Sequence, residues 1–180
     1  MNVFIFLADG FEEIEAITPI DIFRRAGIEV TIISVTEEKL VRGSHNISIL
    51  ADKIFNEADF SVNDLLYLPG GMPGTRNLGA HEGLKTLILK QAGENKKIAA
   101  ICAAPSVLGK LGLLNGKEAI CYPGFEDQLE GAVLSNEKIV ESGFIITAMG
   151  AGVALQFALR LVEIMKGKEL ADKIALSVCI

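Results

Sequence analysis

The stretch KKIAAICAAPSVLG, residues 96–109, decides the fold class of the chain. An apolar run leads from two lysines to Cys102, and Pro105 stands where a helix would begin. A short, uninterrupted apolar run is typical of a parallel strand that is covered on both faces. The stretch therefore predicts a strand, a sharp turn at Cys102 and a helix, which is the repeating unit of an α/β sheet.

Similar units recur along the chain. Further strands are predicted at 2–10, 29–35 and 64–71, in KEAICYP, KIVES and FIITAM, and as a hairpin-like pair over 40–50. Helices are predicted at 12–26 (with Pro19 expected to kink it), within 81–95, from Pro105, and near 152–166 and 168–176. This alternation predicts an α/β fold with a mostly parallel sheet between two layers of helices.

Length and charge limit the classes of function. A chain of 180 residues suits one domain, 1–180. The net charge of −6, a pI near 5.0 and scattered basic residues argue against nucleic acid and against anionic membrane surfaces as partners. The uncharged run 142–159 is interrupted by glycines, so it is interpreted as a strand, a turn and a buried helix rather than a membrane span.

The three cysteines indicate a reducing compartment. Cys102, Cys121 and Cys179 are an odd number, and none of them forms a C-x-x-C pair. This spacing argues against a disulfide framework and against a structural zinc site, so no metal and no cofactor are expected. Because the N-terminus also lacks a positively charged leader, a cytoplasmic location is expected.

Cys102 has the surroundings of a nucleophile. The pattern A-x-C-x-A at 100–104 has the steric form of the G-x-S-x-G elbow, in which small neighbours permit a strained turn. A thiol at the start of a helix is expected to have a lowered pKa, and the N–H of Ala103, with one from Gly70–Gly71, would form an oxyanion hole. The alternative is that Cys102 only fills space, because free cysteines are often buried.

The partner of a reactive Cys102 is expected to be an acid. Both histidines, His45 and His81, precede Cys102, which argues against the Cys-His pair of the amidotransferases, although His45 could still reach the site in the fold. Glu15 stands one turn into the first predicted helix, where the sequence turns apolar. A buried, protonated Glu15 could donate to a thiolate and move protons, whereas the alternative is a solvated helix face.

Four segments together resemble a known superfamily. These are FLADGFEEIEAITPIDIFRRAG, LPGGMPGTRNL, AAICAAPSVL and TAMGAGVALQFALRLVE, in this order along essentially the whole chain. They resemble the ThiJ/PfpI superfamily, and the DJ-1/ThiJ branch more than the PfpI peptidase branch, because Ala103 follows the cysteine where the peptidases have a histidine. The resemblance implies a flavodoxin-like (class I glutamine-amidotransferase-like) three-layer sandwich and a homodimer.

The resemblance also implies roles for individual residues. It makes Cys102 the oxidation-sensitive cysteine of the elbow and Glu15 the protonated glutamate that hydrogen-bonds its sulfur. It makes Gly71 and Ala103 the pair of backbone amides over the site. The helix residues Arg25 and Asp21 match an arginine near the partner subunit's pocket and a further acidic position.

The chain departs from the family pattern at three places. Tyr122 stands where many relatives have a histidine, and His45 where a pocket arginine is found. The usual T-S-R-G-P-G reads TAMGAG at 147–152. These changes make the pocket less basic, which disfavours an anionic substrate.

Three functions are consistent with this reading. The first is a glutathione-independent glyoxalase or deglycase that acts on small glyoxal-type aldehydes or on glycated proteins and metabolites. The second is a redox sensor or chaperone-like stress protein that works through oxidation of Cys102. The third, an intracellular peptidase or amidase, is weakened because no histidine follows the cysteine.

Overall fold

A seven-stranded sheet organises the molecule, whose structure is a computed structural model that describes residues 1–180. The strands are β1 (Asn2–Leu7), β2 (Glu29–Ser34), β3 (Leu40–Arg42), β4 (Ser48–Leu50), β5 (Lys53–Ile54), β6 (Leu65–Leu68), β7 (Lys97–Ile101), β8 (Glu118–Ala119), β9 (Val133–Leu134), β10 (Ile139–Ser142) and β11 (Ile145–Ala148). The helices are α1 (Glu13–Arg25), α2 (Gly74–Ala80), α3 (Glu82–Gly93), α4 (Pro105–Lys110), α5 (Ala154–Lys166) and α6 (Lys168–Ser177).

The sheet is parallel except at one edge. Its strand order is β10-β11-β7-β6-β1-β2-β5, and only the pair β10–β11 is antiparallel. Two small ladders, β3–β4 and β8–β9, lie outside this sheet. The predicted α/β class with a mostly parallel sheet is confirmed.

Both faces of the sheet are buried, which explains the continuous apolar runs of its strands. Alternate residues of β1 point to opposite sides, so Val3 and Ile5 belong to one core cluster and Phe4 and Phe6 to the other. The first cluster packs the sheet against α1, α5 and α6, and the second packs it against α2, α3 and α4. The result is the three-layer sandwich that the resemblance implied.

The structure differs from the sequence prediction in several elements. Helix α2 follows the glycine-rich turn after β6 and was not predicted, because three glycines and a proline in GGMPG hide its start. In KEAICYP only β8 is a strand, and it pairs with β9 outside the main sheet. The 40–50 hairpin is confirmed as antiparallel β3 and β4. The uncharged run 142–159 is divided among the end of β10, β11, a turn and α5, and no helix is long and apolar enough to cross a membrane.

Four neighbouring strands bring together the segments that follow them, which include Cys102 and Gly70–Gly71. Strands β11, β7, β6 and β1 are adjacent and parallel, so their carboxyl ends lie at one edge of the sheet. The segments that follow β1 and β6 are joined by hydrogen bonds from Glu12 N–H to the Gly70 carbonyl (2.9 Å) and from Gly74 N–H to the Gly10 carbonyl (3.2 Å). This edge is the usual position of ligand sites in open α/β sheets.

Candidate active site

Cys102 occupies a strained turn directly after β7. Its φ is +64°, in the left-handed region that non-glycine residues rarely adopt. Two backbone hydrogen bonds hold the turn: Cys102 N–H donates to the Ala148 carbonyl at 2.9 Å, and its carbonyl accepts from Tyr122 N–H at 2.8 Å. The half-buried side chain is therefore presented at the sheet edge, as in a nucleophile elbow.

Glu15 lies in the first turn of α1 with its side chain fully buried. Its Oε2 accepts the Gly70 N–H at 2.9 Å, which ties α1 to the turn after β6. Glu12, the N-terminal cap of α1, accepts the Glu15 N–H at 2.8 Å. Glu15 is thus a buried carboxyl group and not part of a solvated helix face.

The second carboxyl oxygen of Glu15 has no conventional hydrogen-bond partner. Oε1 is buried and makes no regular hydrogen bond, although the Cys102 thiol and the Ala151 amide are close enough to affect the ionisation of the group. Burial raises the pKa of Glu15 to about 7; the Cys102 thiol lowers it, and the charge of Glu12 raises it further. The carboxyl group can therefore gain or lose a proton near neutral pH.

The ionisation of Cys102 differs from the sequence prediction. Burial and the Glu15 carboxylate raise the pKa of the thiol to about 12, whereas a lowered pKa was expected from the elbow alone. The Ala103 and Gly71 amides act in the opposite direction but do not outweigh these effects. When Glu15 holds the proton, its charge no longer opposes the thiolate and its O–H can donate to the sulfur. A thiolate therefore requires the proton to move to Glu15.

The two amides that favour the thiolate come from different loops. Ala103 N–H follows the cysteine, Gly71 N–H belongs to the turn after β6, and neither has a backbone acceptor. The neighbouring Gly70 N–H is already donated to Glu15, so only Gly71 of this pair is free to donate. Two N–H groups that converge on the sulfur can also stabilise an oxyanion formed on a bound carbonyl group.

A cavity of about 410 Å³ lies near Glu15, although neither Glu15 nor Cys102 lines it. Tyr122 and Gly150 line it, and a Cβ added to Gly150 would lie 3.3 Å from the Tyr122 ring. The same point is 3.9 Å from Glu15 Oε1, so this wall of the cavity adjoins the carboxyl group. Lys138 is the only charged residue in the lining, consistent with the expectation of a weakly basic pocket.

Three of the predicted pocket residues do not reach Cys102 within one protomer. His45 is exposed, and its Nδ1 pairs with Glu13 Oε2 at 2.8 Å. Arg25 pairs with Asp21 at 2.7 Å on the exposed surface of α1. Arg25 lies ten residues beyond Glu15, about 15 Å along the helix. His81 caps α3 by accepting the Leu84 N–H, so no histidine contacts the cysteine.

One cluster has the donor types of a metal site. Ligand-type atoms of Glu12, Glu13 and His45 lie within 4.8 Å of one another. Both Glu13 oxygens already accept hydrogen bonds from the 44–47 loop, however, and the Oε2 of Glu12 caps α1. These contacts show a role for the cluster in holding the loop against the helix.

Sequence reasoning missed two residues that hold the site. Tyr67 donates its hydroxyl to the Glu15 carbonyl at 2.9 Å, a carbonyl whose usual helical donor is absent because residue 19 is proline. Glu13, in the first turn of α1, is buried and accepts from His45 N–H at 2.6 Å. Pro19, four residues after Glu15, indicated that the Glu15 carbonyl needs a donor from outside the helix, which is the role of Tyr67. No local feature of the sequence indicated that Glu13 is buried.

Comparisons with known proteins match almost the whole chain. The DJ-1/PfpI family model matches residues 1–164. Protein DJ-1 homolog B of Arabidopsis thaliana is 39% identical over 176 residues, which cover 97% of this chain and 40% of that protein. The solved structure of oxidized Toxoplasma gondii DJ-1 has a TM-score of 0.94 and 38% identity, with 98% of this chain and 97% of that chain covered.

A more distant relative carries the name of an activity. A Pyrococcus abyssi protein named as a deglycase is 29% identical over 168 residues, which cover 92% of this chain and all of that protein. The chain spans less than half the length of the two Arabidopsis relatives it matches, DJ-1 homologs B and A. With the family model matching most of its length and the fold shared with DJ-1, the chain belongs to the DJ-1/PfpI family.

Proposed function

We propose that the protein is a glutathione-independent glyoxalase or deglycase that acts on small glyoxal-type aldehydes. The observation that carries this proposal is the pairing of the strained Cys102 with Glu15, a buried carboxyl group whose pKa is about 7. The weakly basic cavity beside them suits a small neutral aldehyde. The deglycase name of the Pyrococcus relative supports the same class of substrate.

The reaction with methylglyoxal needs one nucleophile and one group that moves protons. Glu15 takes the thiol proton of Cys102 while the sulfur adds to the aldehyde carbon, and the former carbonyl oxygen becomes the hydroxyl of a hemithioacetal. Transfer of a proton from the first carbon to the second through an enediol then gives a lactoyl thioester. Water hydrolyses this thioester, which releases lactate and restores the thiol, so that no net oxidation occurs.

The test is the turnover of methylglyoxal by matched variants. Cys102→Ser should abolish lactate formation, and Glu15→Gln should lower it by at least about a hundredfold, as for loss of a general acid–base group. Cys179→Ser is the control, because Cys179 is exposed and lies near the C-terminus. Lactate formation that survives in Cys102→Ser would overturn the proposal.

A second candidate function is a redox sensor, and the orphan oxygen of Glu15 favours it. A sulfinic acid on Cys102, formed by two successive oxygen transfers from hydrogen peroxide, would add acceptor oxygens near the buried Glu15 carboxyl group, whose Oε1 lacks a partner. The resulting short hydrogen bond would be charge-assisted. The Toxoplasma relative was solved in an oxidized form.

Mild peroxide treatment tests the sensor. Cys102 should gain two oxygens before the exposed Cys179 changes, and Glu15→Gln should remove this preference. Equal oxidation of both residues would count against the sensor. A peptidase or amidase of the Cys-His type is not favoured, because neither histidine contacts Cys102.

We further propose that the working form is a homodimer. Five large apolar side chains are exposed on α1 and the adjoining hairpin: Ile14, Ile17, Leu40, Ile47 and Leu50. The hydrogen bonds between Glu13 and the 44–47 loop place these two elements side by side. An exposed group of this kind is typical of an interface, and a second copy would also bring another Asp21–Arg25 pair to this surface.

A further inference from the structure

A second cavity lies between α2 and α4, on the other side of the elbow segment. Its volume is about 450 Å³, and the turn at 125–128 borders it. It shares no lining residue with the first cavity, near Glu15, so the two are separate. This volume is within the range of small-molecule sites.

Two unpaired cations border this cavity. Arg76 on α2 and Lys110 at the end of α4 both line it, and neither forms an ion pair or a side-chain hydrogen bond. No acidic residue is part of the lining. The bordering turn carries two acids outside the lining, Glu126, which accepts the Gly124 N–H at 2.7 Å, and Asp127. The charged side chains of the lining itself are thus both positive.

A buried hydroxyl group beside the cavity lacks a hydrogen-bond partner. Thr75 lines the cavity and is 3% exposed, yet its Oγ1 has no hydrogen-bond partner. A buried polar atom without a partner is costly, and such groups are usually satisfied by a protein atom, water or a ligand. Because the hydroxyl group is buried, it would reach a ligand in the cavity by rotating about the Cα–Cβ bond to another staggered position. The side-chain amide of Gln128, also in the lining, makes no hydrogen bond within the protein.

We propose that this cavity binds the phosphate group of a small phosphorylated metabolite. A phosphate monoester carries close to two negative charges at neutral pH, which match the charges of Arg76 and Lys110. Its oxygens accept hydrogen bonds from the Arg76 guanidinium and from hydroxyl and amide donors such as Thr75 and Gln128. The remaining volume accommodates a short carbon chain next to the apolar Val107 and Phe125.

Titration with glycerol 3-phosphate tests the site directly. We expect saturable binding, followed by calorimetry and by amide shifts in α2 and α4, and no binding of glycerol. Glycerate, a carboxylate with one charge, should bind at least tenfold more weakly. Absence of saturable binding would overturn the proposal, and inorganic phosphate binding as tightly as glycerol 3-phosphate would overturn the assignment to a phosphorylated metabolite.

Charge variants separate this cavity from general attraction of anions. The double variant Arg76→Gln/Lys110→Gln should weaken glycerol 3-phosphate binding at least tenfold. Lys173→Gln is the matched control, because Lys173 is an exposed lysine on α6, on the opposite side of the sheet. Equal weakening by the control would overturn the proposal.

Thr75→Val tests the hydroxyl group without altering the shape of the side chain. It removes a buried atom that has no partner, so the thermal midpoint without ligand should be unchanged or higher. The affinity for glycerol 3-phosphate should nevertheless fall several-fold. An unchanged affinity would contradict the role proposed for Thr75.

Discussion

At the scale of single residues, the reactivity of Cys102 depends on one proton that it shares with Glu15. Burial and the Glu15 charge raise the pKa of the thiol to about 12, while burial of Glu15 raises its own pKa to about 7. Between these values the pair retains one proton, and attack by the sulfur requires this proton to lie on Glu15. Reactivity of the cysteine is thus governed by the carboxyl group.

The pH profile of Cys102 alkylation tests this coupling. The rate should rise as pH increases through about 7, because loss of the Glu15 proton creates the base that accepts the thiol proton. In Glu15→Gln the thiol must ionise alone, so the inflection should move to the ordinary thiol range near 8.5 or above. Mass spectrometry of iodoacetamide adducts measures both, with Cys102→Ser as the blank, and an unshifted profile would contradict the coupling.

Gly70 is required because a side chain there would enter the site. A Cβ at this position would lie 2.7 Å from both Cys102 Cβ and Glu15 Oε2. Gly70→Ala should therefore displace the pair, abolish lactate formation and cost about 1–3 kcal/mol of unfolding free energy. Gly93→Ala is the control, since nothing lies within 4 Å of its added Cβ. Full activity of Gly70→Ala would exclude the tight packing described here.

At the scale of elements, a strand supports a helix at the point where a proline interrupts its hydrogen bonds. Pro19 lacks the N–H that would normally reach the Glu15 carbonyl, and Tyr67 of β6 supplies its hydroxyl instead. The Tyr67 ring is fully buried and packs against Phe23 and Phe157, so its position is well defined. The backbone of Glu15 is thus fixed by a contact from the sheet.

Removal of this hydroxyl should loosen Glu15. Tyr67→Phe leaves a buried carbonyl without a partner and should cost about 1–3 kcal/mol of unfolding free energy. The loss should be smaller in a Pro19→Ala background, because the amide introduced at position 19 can donate to the same carbonyl. Denaturant unfolding of the two single variants and the double variant measures the coupling. Strictly additive losses would argue against the shared acceptor.

Helix α1 also holds the 44–47 loop, through a contact between Glu13 and His45 that depends on pH. Burial of Glu13 acts to raise its pKa, but hydrogen bonds from His45 and Ile47 outweigh this effect and lower it; the same contact raises the pKa of His45. The contribution of Glu13 to stability is therefore fully present above its ordinary pKa of 4.5 and is lost as the pH falls through its lower folded pKa. The contribution of His45 to stability is fully present below its ordinary pKa of 6.5 and is lost as the pH rises through its higher folded pKa.

Hydrogen exchange can follow this contact. The protection factor of the His45 amide, which donates to Glu13, should fall when the pH drops below about 4.5 and should be low at every pH in Glu13→Ala, which has no acceptor. The Ala51 amide is the internal control, because it donates to the Lys39 carbonyl at 2.8 Å. A parallel loss at Ala51 would indicate opening of the whole hairpin region instead.

At the scale of the whole molecule, the exposed apolar group on α1 and the β3–β4 hairpin predicts self-association. The double variant Ile17→Glu/Leu50→Glu should shift the protein from dimer to monomer in sedimentation velocity, because it places charge on both elements of the proposed interface. Leu176→Glu is the control, as Leu176 is an exposed leucine on α6. A dimer that persists in the double variant would place the interface elsewhere.

The sequence by itself determined the class of fold and the main chemical group. The apolar runs predicted β1, β2, β6 and β7, because strands buried on both faces leave this pattern. The elbow motif placed Cys102 at a strained turn, since only small neighbours fit there. Glu15 was marked by its position where α1 turns apolar. These features are local, and local patterns are readable along the chain.

Only the tertiary structure determined how these groups are positioned relative to one another and how they affect each other's ionisation. The raised pKa of Cys102 arises from burial and from a carboxylate distant in sequence, so the motif around the cysteine could not show it. The Tyr67 hydroxyl bond spans 52 residues, and the Glu13 contact with His45 spans 32. Such contacts depend on strand order and helix packing, which bring together groups that the sequence keeps apart.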